Sequence, residues 1–255
     1  MRVLGIDVGS LNTKLVILED GNVIYRRITS MAEGGDIVAQ KAIEEALREG
    51  EFTDDEIDSI AVTSHIKLKG RFAGHSKNFF VCLARGAVSL VPEARTIIDV
   101  GAENVMVASL DNRSRIRNFV QNDRCAAGSG VFLEAITKMM GLSMEEMISE
   151  AMKADKGVPI ASTCTIFAEQ EVLSAVFEAS PPSRSQVLAG VHDALASRVV
   201  GLAIRAGIVP PIFLCGGVVN NRAFIRSFKE QIKKEVILSP FPQFVPALGA
   251  ALSIS

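Results

Sequence analysis

The stretch IDVGSLNTK at residues 6–14 decides the fold of this chain. It closes an apolar run from Arg2 to Val8 that predicts a buried strand, turns at Gly9, and opens a second predicted strand at residues 13–18. A glycine in such a turn lets backbone N–H groups approach an anion closely, because it has no side chain in the way. The turn EDGN at residues 19–22 then predicts a hairpin to a third strand at residues 23–28.

The side chains of this first turn suit phosphate binding. Ser10, Asn12 and Thr13 provide short hydrogen-bond donors, and Lys14 provides positive charge. Asp7, near the end of the first strand, is suited to hold a metal ion or its waters beside a phosphate, since Mg²⁺ prefers oxygen ligands. A polar hairpin with an ordinary aspartate and glycine explains the same residues as well, so this turn alone leaves both interpretations open.

The opening pattern recurs after residue 95. The repeat predicts three strands, at residues 96–100, 105–110 and 116–120. Asp99 stands where Asp7 stands in the first copy, so both are candidate catalytic residues and Mg²⁺ ligands. Gly101 and Ala102 form the second predicted phosphate turn, and Glu103 beside them is a further candidate catalytic residue. We interpret the repeat as an internal duplication at the level of the fold.

A third glycine turn follows the buried strand predicted at residues 212–215. Gly216 and Gly217 leave room for the backbone to pack flat against an adenine or a ribose. Two related halves that face a common cleft bind a ligand between them. We place the boundary between the halves after residue 94, giving subdomains 1–94 and 95–255, with the terminal helix free to pack back on the first half.

The remaining elements follow from apolar spacing and capping signals. Helices are predicted at residues 37–48, 79–90, 187–206 and 244–252, and short strands at residues 60–62 and 236–238. Ser183 is a candidate N-cap for the long helix that follows it.

Composition narrows the possible functions. The net charge is −2, Trp is absent and Tyr occurs once among 255 residues, so we expect no nucleic-acid partner. An acid interrupts the apolar N-terminus and no apolar run approaches 18 residues without a charge or a turn, so we expect no signal peptide and no membrane span. Four widely spaced cysteines without an export signal predict a reducing, cytoplasmic setting.

Two of the cysteines stand before predicted helices. Cys125 lies in NDRCAAGSG at residues 122–130, and Cys164 lies in STCTIFAE at residues 162–169. A helix N-terminus favours thiolate over thiol, and thiolate is the form that ligates iron. Two buried structural cysteines are the alternative, although their small and polar neighbours argue against simple core filling.

These two motifs resemble the activator ATPases of 2-hydroxyacyl-CoA dehydratases and benzoyl-CoA reductases, the BadF/BadG/BcrA/BcrD ATPase family, over nearly the whole chain. The resemblance implies that Cys125 and Cys164 of each protomer hold one [4Fe–4S] cluster on the two-fold axis of a homodimer. The three turns together resemble the actin, sugar kinase and heat-shock ATPase superfamily. That resemblance implies an α/β class, a duplicated actin or ribonuclease H-like fold whose two halves surround ATP or ADP and Mg²⁺.

The function implied is that of an ATP-dependent one-electron donor. Its partner would be a low-potential metalloenzyme such as an acyl-CoA dehydratase or reductase, and its own electron source a ferredoxin or flavodoxin. Two alternatives stay open. One is a slow or non-catalytic regulator or assembly factor that binds a nucleotide and a cluster, and the other is a small-molecule kinase of the same superfamily.

The sequence departs from the family pattern around the second turn. Ala102, Glu103 and Asn104 stand where the resemblance leads us to expect Gly, Gln and Asp. Phe79 and Leu83 stand where a Glu and a His near the attacking water are expected. Because a residue that positions the water is worth orders of magnitude in rate, these changes predict slow ATP hydrolysis unless Glu103 serves in a rearranged site.

Overall fold

Two five-stranded sheets with the same internal order form the frame of the protein. The computed structural model describes residues 1–30, 36–63, 74–122, 129–161, 165–177 and 180–255. The first sheet contains β1 (Arg2–Val8), β2 (Asn12–Glu19), β3 (Asn22–Ser30), β4 (Ser59–Thr63) and β5 (His75–Ser76), in the order β3-β2-β1-β4-β5. The second contains β6 (Thr96–Val100), β7 (Val105–Leu110), β8 (Ile116–Gln121), β9 (Ile212–Cys215) and β10 (Val236–Leu238), in the order β10-β9-β6-β7-β8.

The two sheets have one topology. In each, the first strand pairs antiparallel with the second and parallel with the fourth, so β6 corresponds to β1, β7 to β2 and β9 to β4. This correspondence confirms the duplicated α/β fold predicted from the sequence. The two-residue strand β5 was not predicted, because two residues carry no periodicity.

Eight α-helices within the described residues cover these sheets. They are α1 (Asp36–Glu49), α2 (Phe79–Leu90), α3 (Gly130–Met140), α4 (Met144–Ala151), α5 (Thr165–Val176), α6 (Arg184–Ala206), α7 (Arg222–Ile232) and α8 (Val245–Ala251). Helix α1 packs Ile43 and its neighbours on the outer face of the first sheet, against Ile6 and Leu15. Helices α3, α6 and α7 pack on the outer face of the second sheet.

Helices α2 and α8 fill the space between the sheets. Leu83 of α2 packs against Ile97 and Phe213 of the second sheet, whereas Leu248 of α8 packs against Val16 of the first. The two helices touch through a glycine, since a Cβ on Gly249 would stand 1.7 Å from the carbonyl oxygen of Cys82. Helix α8, near residue 250, therefore packs against the first sheet, as the sequence analysis allowed. The subdomain boundary after residue 94 stays a prediction.

A second glycine, Gly5, brings α8 against β1. A Cβ on Gly5 would stand 2.1 Å from the carbonyl oxygen of Ala247, a distance that no side chain tolerates. The backbones of β1 and α8 are thus in direct contact, and this contact fixes the end of β1 that carries Asp7 relative to the rest of the molecule.

Helix α6 forms the middle of the second core. It is long and apolar enough to span a membrane by composition, but about two thirds of its apolar window is buried inside the protein, which is typical of a core helix. Ser183 begins it with a capping box: its hydroxyl accepts from the Gln186 N–H at 3.3 Å, and its own N–H donates to the Gln186 amide oxygen at 3.0 Å. The predicted N-cap is confirmed.

Candidate functional site

The two predicted phosphate turns have the same backbone geometry. In the first, the Gly9 N–H donates to the Asn12 carbonyl at 3.0 Å; in the second, the Gly101 N–H donates to the Asn104 carbonyl at 2.8 Å. Each turn joins the two central antiparallel strands of its sheet. The duplication thus brings two turns with equivalent backbone hydrogen bonds, one from each half, to the same region of the protein.

Around Asp7 the first half is polar. Asp7 is buried, and the pairing of β1 with β2 and β4 places it between Lys14 and Thr63. The Lys14 Nζ lies 3.3 Å from the Asp7 Oδ2. Burial raises the pKa of Asp7, and the charge of Lys14 acts in the opposite direction.

Around Asp99 the second half is less polar. Asp99 is equally buried, but its neighbours across the ladder are Met106 on β7 and Cys215 on β9. Burial, aided by the nearby charge of Asp7, raises the pKa of Asp99 to about 7. A bound cation stabilises the ionised form of a buried carboxylate that has another carboxylate nearby, and Mg²⁺ needs only one or two carboxylates besides phosphate and water.

The third glycine turn closes over Asp99. Gly216 has φ = +96°, and a Cβ there would stand 2.3 Å from the Asp99 Oδ1. Its N–H donates to the Pro242 carbonyl at 2.7 Å, while a Cβ on Gly217 would stand 3.4 Å from the Gln243 amide nitrogen. Glycine is therefore required at 216 both for its backbone conformation and for contact with the carboxylate. Sequence reasoning missed the Pro242–Gln243 loop, which carries no charged or phosphate-type signal.

The two phosphate turns touch each other through side chains. The Ser10 hydroxyl donates to the Glu103 Oε2 at 2.8 Å, and both residues are on the exposed side of the turns. Thr13 differs from its neighbours: it is fully buried and alternates to the opposite face of β2 from Lys14. The structure thus brings Asp7, Ser10 and Lys14 together with Asp99 and Glu103, while the predicted role of Thr13 in nucleotide binding rests on its backbone alone.

The segment with Cys125 is tied to the second turn at both of its ends. On one side, Asn122 accepts from the Val105 N–H at 2.7 Å and donates to the Glu103 carbonyl at 3.2 Å. On the other, the N–H groups of Gly130 and Val131 donate to the carbonyls of Gly101 and Ala102 at 3.0 and 2.9 Å. Cys125 itself lies outside the described residues. The sequence singled out Asn122 only as part of the cysteine motif, and its two hydrogen bonds to the second turn could not be predicted.

The segment with Cys164 has its own anchors. Cys164 also lies outside the described residues, but α5 begins at Thr165, as predicted. Ahead of it, the Ala161 carbonyl accepts from Arg198 at 3.0 Å, and the Ala161 N–H donates to the Glu171 carboxylate at 2.5 Å. Within the described parts of the chain, no group of three or more His, Cys, Asp or Glu side chains converges on a common point as a metal site.

The positions expected to hold the attacking water are apolar here. Leu83 is fully buried, and Phe79 packs against the same cluster between α2 and the second sheet. Phe79 also meets Phe80 edge to face, and Phe80 lies 4.3 Å from the ring centroid of Phe119. These side chains offer no polar atom to a water, so Glu103 is the candidate that remains of those singled out in the sequence.

Comparison with known proteins gives a consistent result. Residues 4–253 match the model of the BadF/BadG/BcrA/BcrD ATPase family. The chain is 37% identical to the activator of lactoyl-CoA dehydratase from Anaerotignum propionicum, covering 99% of this chain and 96% of that protein. It superimposes on the activator of the 2-hydroxyisocaproyl-CoA dehydratase from Clostridium difficile with bound ADPNP, with TM-score 0.90, 34% identity, and coverage of 99% and 94%. A ROK family glucokinase from Streptomyces griseus, at 12% identity, TM-score 0.62 and 99% coverage of both chains, shares the fold alone.

Proposed function

The chain belongs to the BadF/BadG/BcrA/BcrD ATPase family, and from that membership we propose that it is an ATP-dependent one-electron donor that activates a dehydratase or reductase. Similar proteins are activators of 2-hydroxyacyl-CoA dehydratases, and one relative belongs to a benzoyl-CoA reductase. A low-potential acyl-CoA enzyme is therefore the proposed partner, a ferredoxin or flavodoxin the proposed electron source, and the cytoplasm the proposed location.

One observation carries this proposal. The second phosphate turn holds both ends of the Cys125 segment by hydrogen bonds, through Asn122 on one side and through Gly130 and Val131 on the other. A change in this turn when a nucleotide binds would therefore move the segment that bears Cys125. Such a direct mechanical link is what ATP control of a metal cluster requires, because a ligand shifts an equilibrium only through contacts that differ between the two states.

The nucleotide site follows from the two turns. Gly9, Ser10 and Lys14 from the first turn would bind phosphate together with Gly101 and Ala102 from the second, and Asp7 and Asp99 would hold Mg²⁺. Each glycine leaves a cradle that a Cβ would fill: at Gly9 it would stand 2.6 Å from the Lys14 Nζ. Glu103 would orient the attacking water once Ser10 no longer occupies it.

The proposed cluster site needs a second copy of the chain. A [4Fe–4S] cluster takes four thiolates, and the two cysteine motifs supply Cys125 and Cys164. When bound, the cluster would supply one-electron transfer. Helix α5, which follows Cys164, exposes Ile166 and Phe167 at 65% and 60%, and Phe177 directly after the helix is 82% exposed. Apolar side chains this exposed next to a cysteine support a homodimer contact on this face.

The second candidate is a nucleotide- and cluster-binding regulator with slow or no turnover. The buried, apolar surroundings of Phe79 and Leu83 favour it, because these side chains cannot position a water. ATP turnover measured with and without reductant distinguishes the two: turnover coupled to reduction of a partner supports the electron donor. The kinase alternative is supported by the shared fold alone.

The test is anaerobic purification, with iron and acid-labile sulfide counted per dimer and the absorbance spectrum recorded before and after dithionite. We expect about four irons per dimer, as one [4Fe–4S] cluster requires, bleaching on reduction, and loss of iron in Cys125→Ala and in Cys164→Ala. Cys82→Ala is the matched control: Cys82 lies on α2, buried against Ala61 and Ala250, and its replacement should leave the iron content unchanged. A colourless protein after anaerobic reconstitution would contradict the proposal.

A further inference from the structure

A side-chain hydrogen bond joins the two phosphate turns. Ser10 belongs to the first turn and Glu103 to the second, 93 residues apart, and their side chains are joined by a hydrogen bond of 2.8 Å. Each turn is already closed by its own backbone hydrogen bond, so neither needs this contact for its shape. The contact therefore links the two halves of the molecule at the place where the turns face each other.

A bound phosphate and this contact are mutually exclusive. A serine hydroxyl has one proton, so Ser10 donates either to the Glu103 carboxylate or to a phosphate oxygen, but not to both. A triphosphate that spans the two turns would need the Ser10 hydroxyl as a donor. Its binding must break the hydrogen bond between Ser10 and Glu103.

Charge adds to this competition. Lys14 is engaged by Asp7 at 3.3 Å, and the charge of Asp7 already acts on Asp99. The carboxylate of Glu103 adds a third negative group to the same region, where it repels phosphate oxygens. Glu103 thus weakens phosphate binding in two ways: it accepts the hydrogen bond of the Ser10 hydroxyl, and its negative charge repels the phosphate oxygens.

We propose that Glu103 is an internal competitor of the nucleotide's phosphates, and that the bond between Ser10 and Glu103 is a latch that nucleotide binding opens. The proposal rests on the nucleotide site described above. The Glu103 carbonyl accepts a hydrogen bond from Asn122, the residue that precedes the Cys125 segment. A movement of Glu103 when the latch opens would therefore also move Asn122. The free protein is held in one arrangement of the two turns until a phosphate displaces the carboxylate.

The experiment compares the binding of Mg²⁺-AMPPNP and of adenosine by titration calorimetry to the wild type, Glu103→Gln and Glu103→Ala. We expect Mg²⁺-AMPPNP to bind Glu103→Gln about tenfold more tightly, because a neutral amide is a weaker acceptor than a carboxylate and does not repel phosphate. Adenosine has no phosphate, so its affinity should not change. Glu93→Gln makes the same change of charge at an exposed site before β6 and should bind both ligands as the wild type does.

The variant Ser10→Ala distinguishes the effect of the Ser10–Glu103 hydrogen bond from the effect of the Glu103 charge, because it removes the hydroxyl and keeps the carboxylate. In this background the latch is already absent, so Glu103→Gln should gain clearly less than tenfold. Unchanged or weaker Mg²⁺-AMPPNP binding by Glu103→Gln, or an equal gain for adenosine, would overturn the latch. If neither the wild type nor any variant binds either ligand, the nucleotide site itself is wrong, and the latch with it. A turnover number that falls in Glu103→Gln while affinity rises would show that the same carboxylate also serves hydrolysis.

Discussion

The two halves share a backbone but treat their central carboxylate differently. Asp7 lies across the ladder from Lys14 and Thr63, whereas Asp99 lies across the ladder from Met106 and Cys215. The first carboxylate therefore has a cation of its own, and the second, with its pKa raised to about 7, depends on a ligand for charge balance. The difference shows how a duplicated fold becomes asymmetric at one site: the carboxylate of the first half has a lysine partner on the adjacent strand, and that of the second half has a methionine there.

The strongest test of this comparison is removal of each carboxylate. Asp7→Asn and Asp99→Asn should each lower Mg²⁺-dependent ATP hydrolysis about a thousandfold, equivalent to roughly 4 kcal/mol, because a misplaced metal no longer stabilises the developing charge. Steady-state phosphate release with saturating Mg²⁺ measures the effect. If ATP hydrolysis falls in only one of the two variants, the metal is bound by the carboxylate of that half alone.

The next test makes the first half resemble the second. Lys14→Met copies the residue found at the matching position on β7, and it should lower the free energy of unfolding by about 3 kcal/mol at pH 8, since it leaves a buried carboxylate without its cation. Urea unfolding without nucleotide measures it. The reciprocal Met106→Lys should instead stabilise the ionised form of Asp99. A loss below about 1 kcal/mol for Lys14→Met would mean that water already compensates Asp7.

The dependence of stability on pH gives a finer test. The pKa of Asp99 is raised from 3.8 to about 7, so its contribution to stability is present at low pH and lost as pH rises toward 7. Burial lowers the pKa of His192 from 6.5 to about 4, so its contribution is present at neutral pH and lost as pH falls toward 4. Between about pH 4 and 6.5 the two slopes oppose each other.

Asp99→Asn should therefore uncover the slope of His192. In this variant the free energy of unfolding should rise with pH between 4 and 6.5 more steeply than in the wild type, by about 1.4 kcal/mol per pH unit. Above pH 7 the variant should be the more stable protein, by an amount on the order of 3 kcal/mol. Denaturation curves at half-unit pH intervals measure both. Parallel profiles for the two proteins would show that Asp99 titrates normally in the folded state.

The smallest expected effect concerns Asn122, which connects the second turn to the Cys125 segment. Asn122→Ala removes the hydrogen bonds to Val105 and Glu103 and should lower the free energy of unfolding by about 1–2 kcal/mol. The iron content of the anaerobic protein should fall further than this loss of stability explains, because Asn122 positions the Cys125 segment. Gln121→Ala, which removes a single exposed contact with Asn104, is the control and should leave iron content unchanged.

The strands could be predicted from local sequence patterns. The contacts between residues far apart in the sequence could not. Apolar runs and glycine turns placed β1 to β3 and β6 to β8, and with them both phosphate turns, because each depends on neighbours in sequence. Asp7 and Asp99 could be paired from the duplication. The contact of Ser10 with Glu103 was invisible, since it joins side chains 93 residues apart through the placement of two sheets.

The polar network around His192 was equally invisible. His192 lies on α6 in an apolar helix, and its buried ring meets the Leu188 carbonyl at 2.7 Å and the Asn221 amide at 3.0 Å. Asn221 in turn caps α7 by accepting from Ala223 and Phe224. A histidine inside an apolar pattern gives no sign of its partner, because the partner is set by the packing of α6 on α7.

The contact of Gly5 with α8 has a consequence for how the protein is made. Strand β1 leaves the ribosome before α8, and this helix, which covers one face of β1, follows about 240 residues later. At about 5–20 residues per second, the first sheet waits roughly 10 to 50 s during synthesis with Val3, Val16 and Leu18 uncovered. The apolar face of the first sheet is therefore covered only after residues 245–251 have been translated.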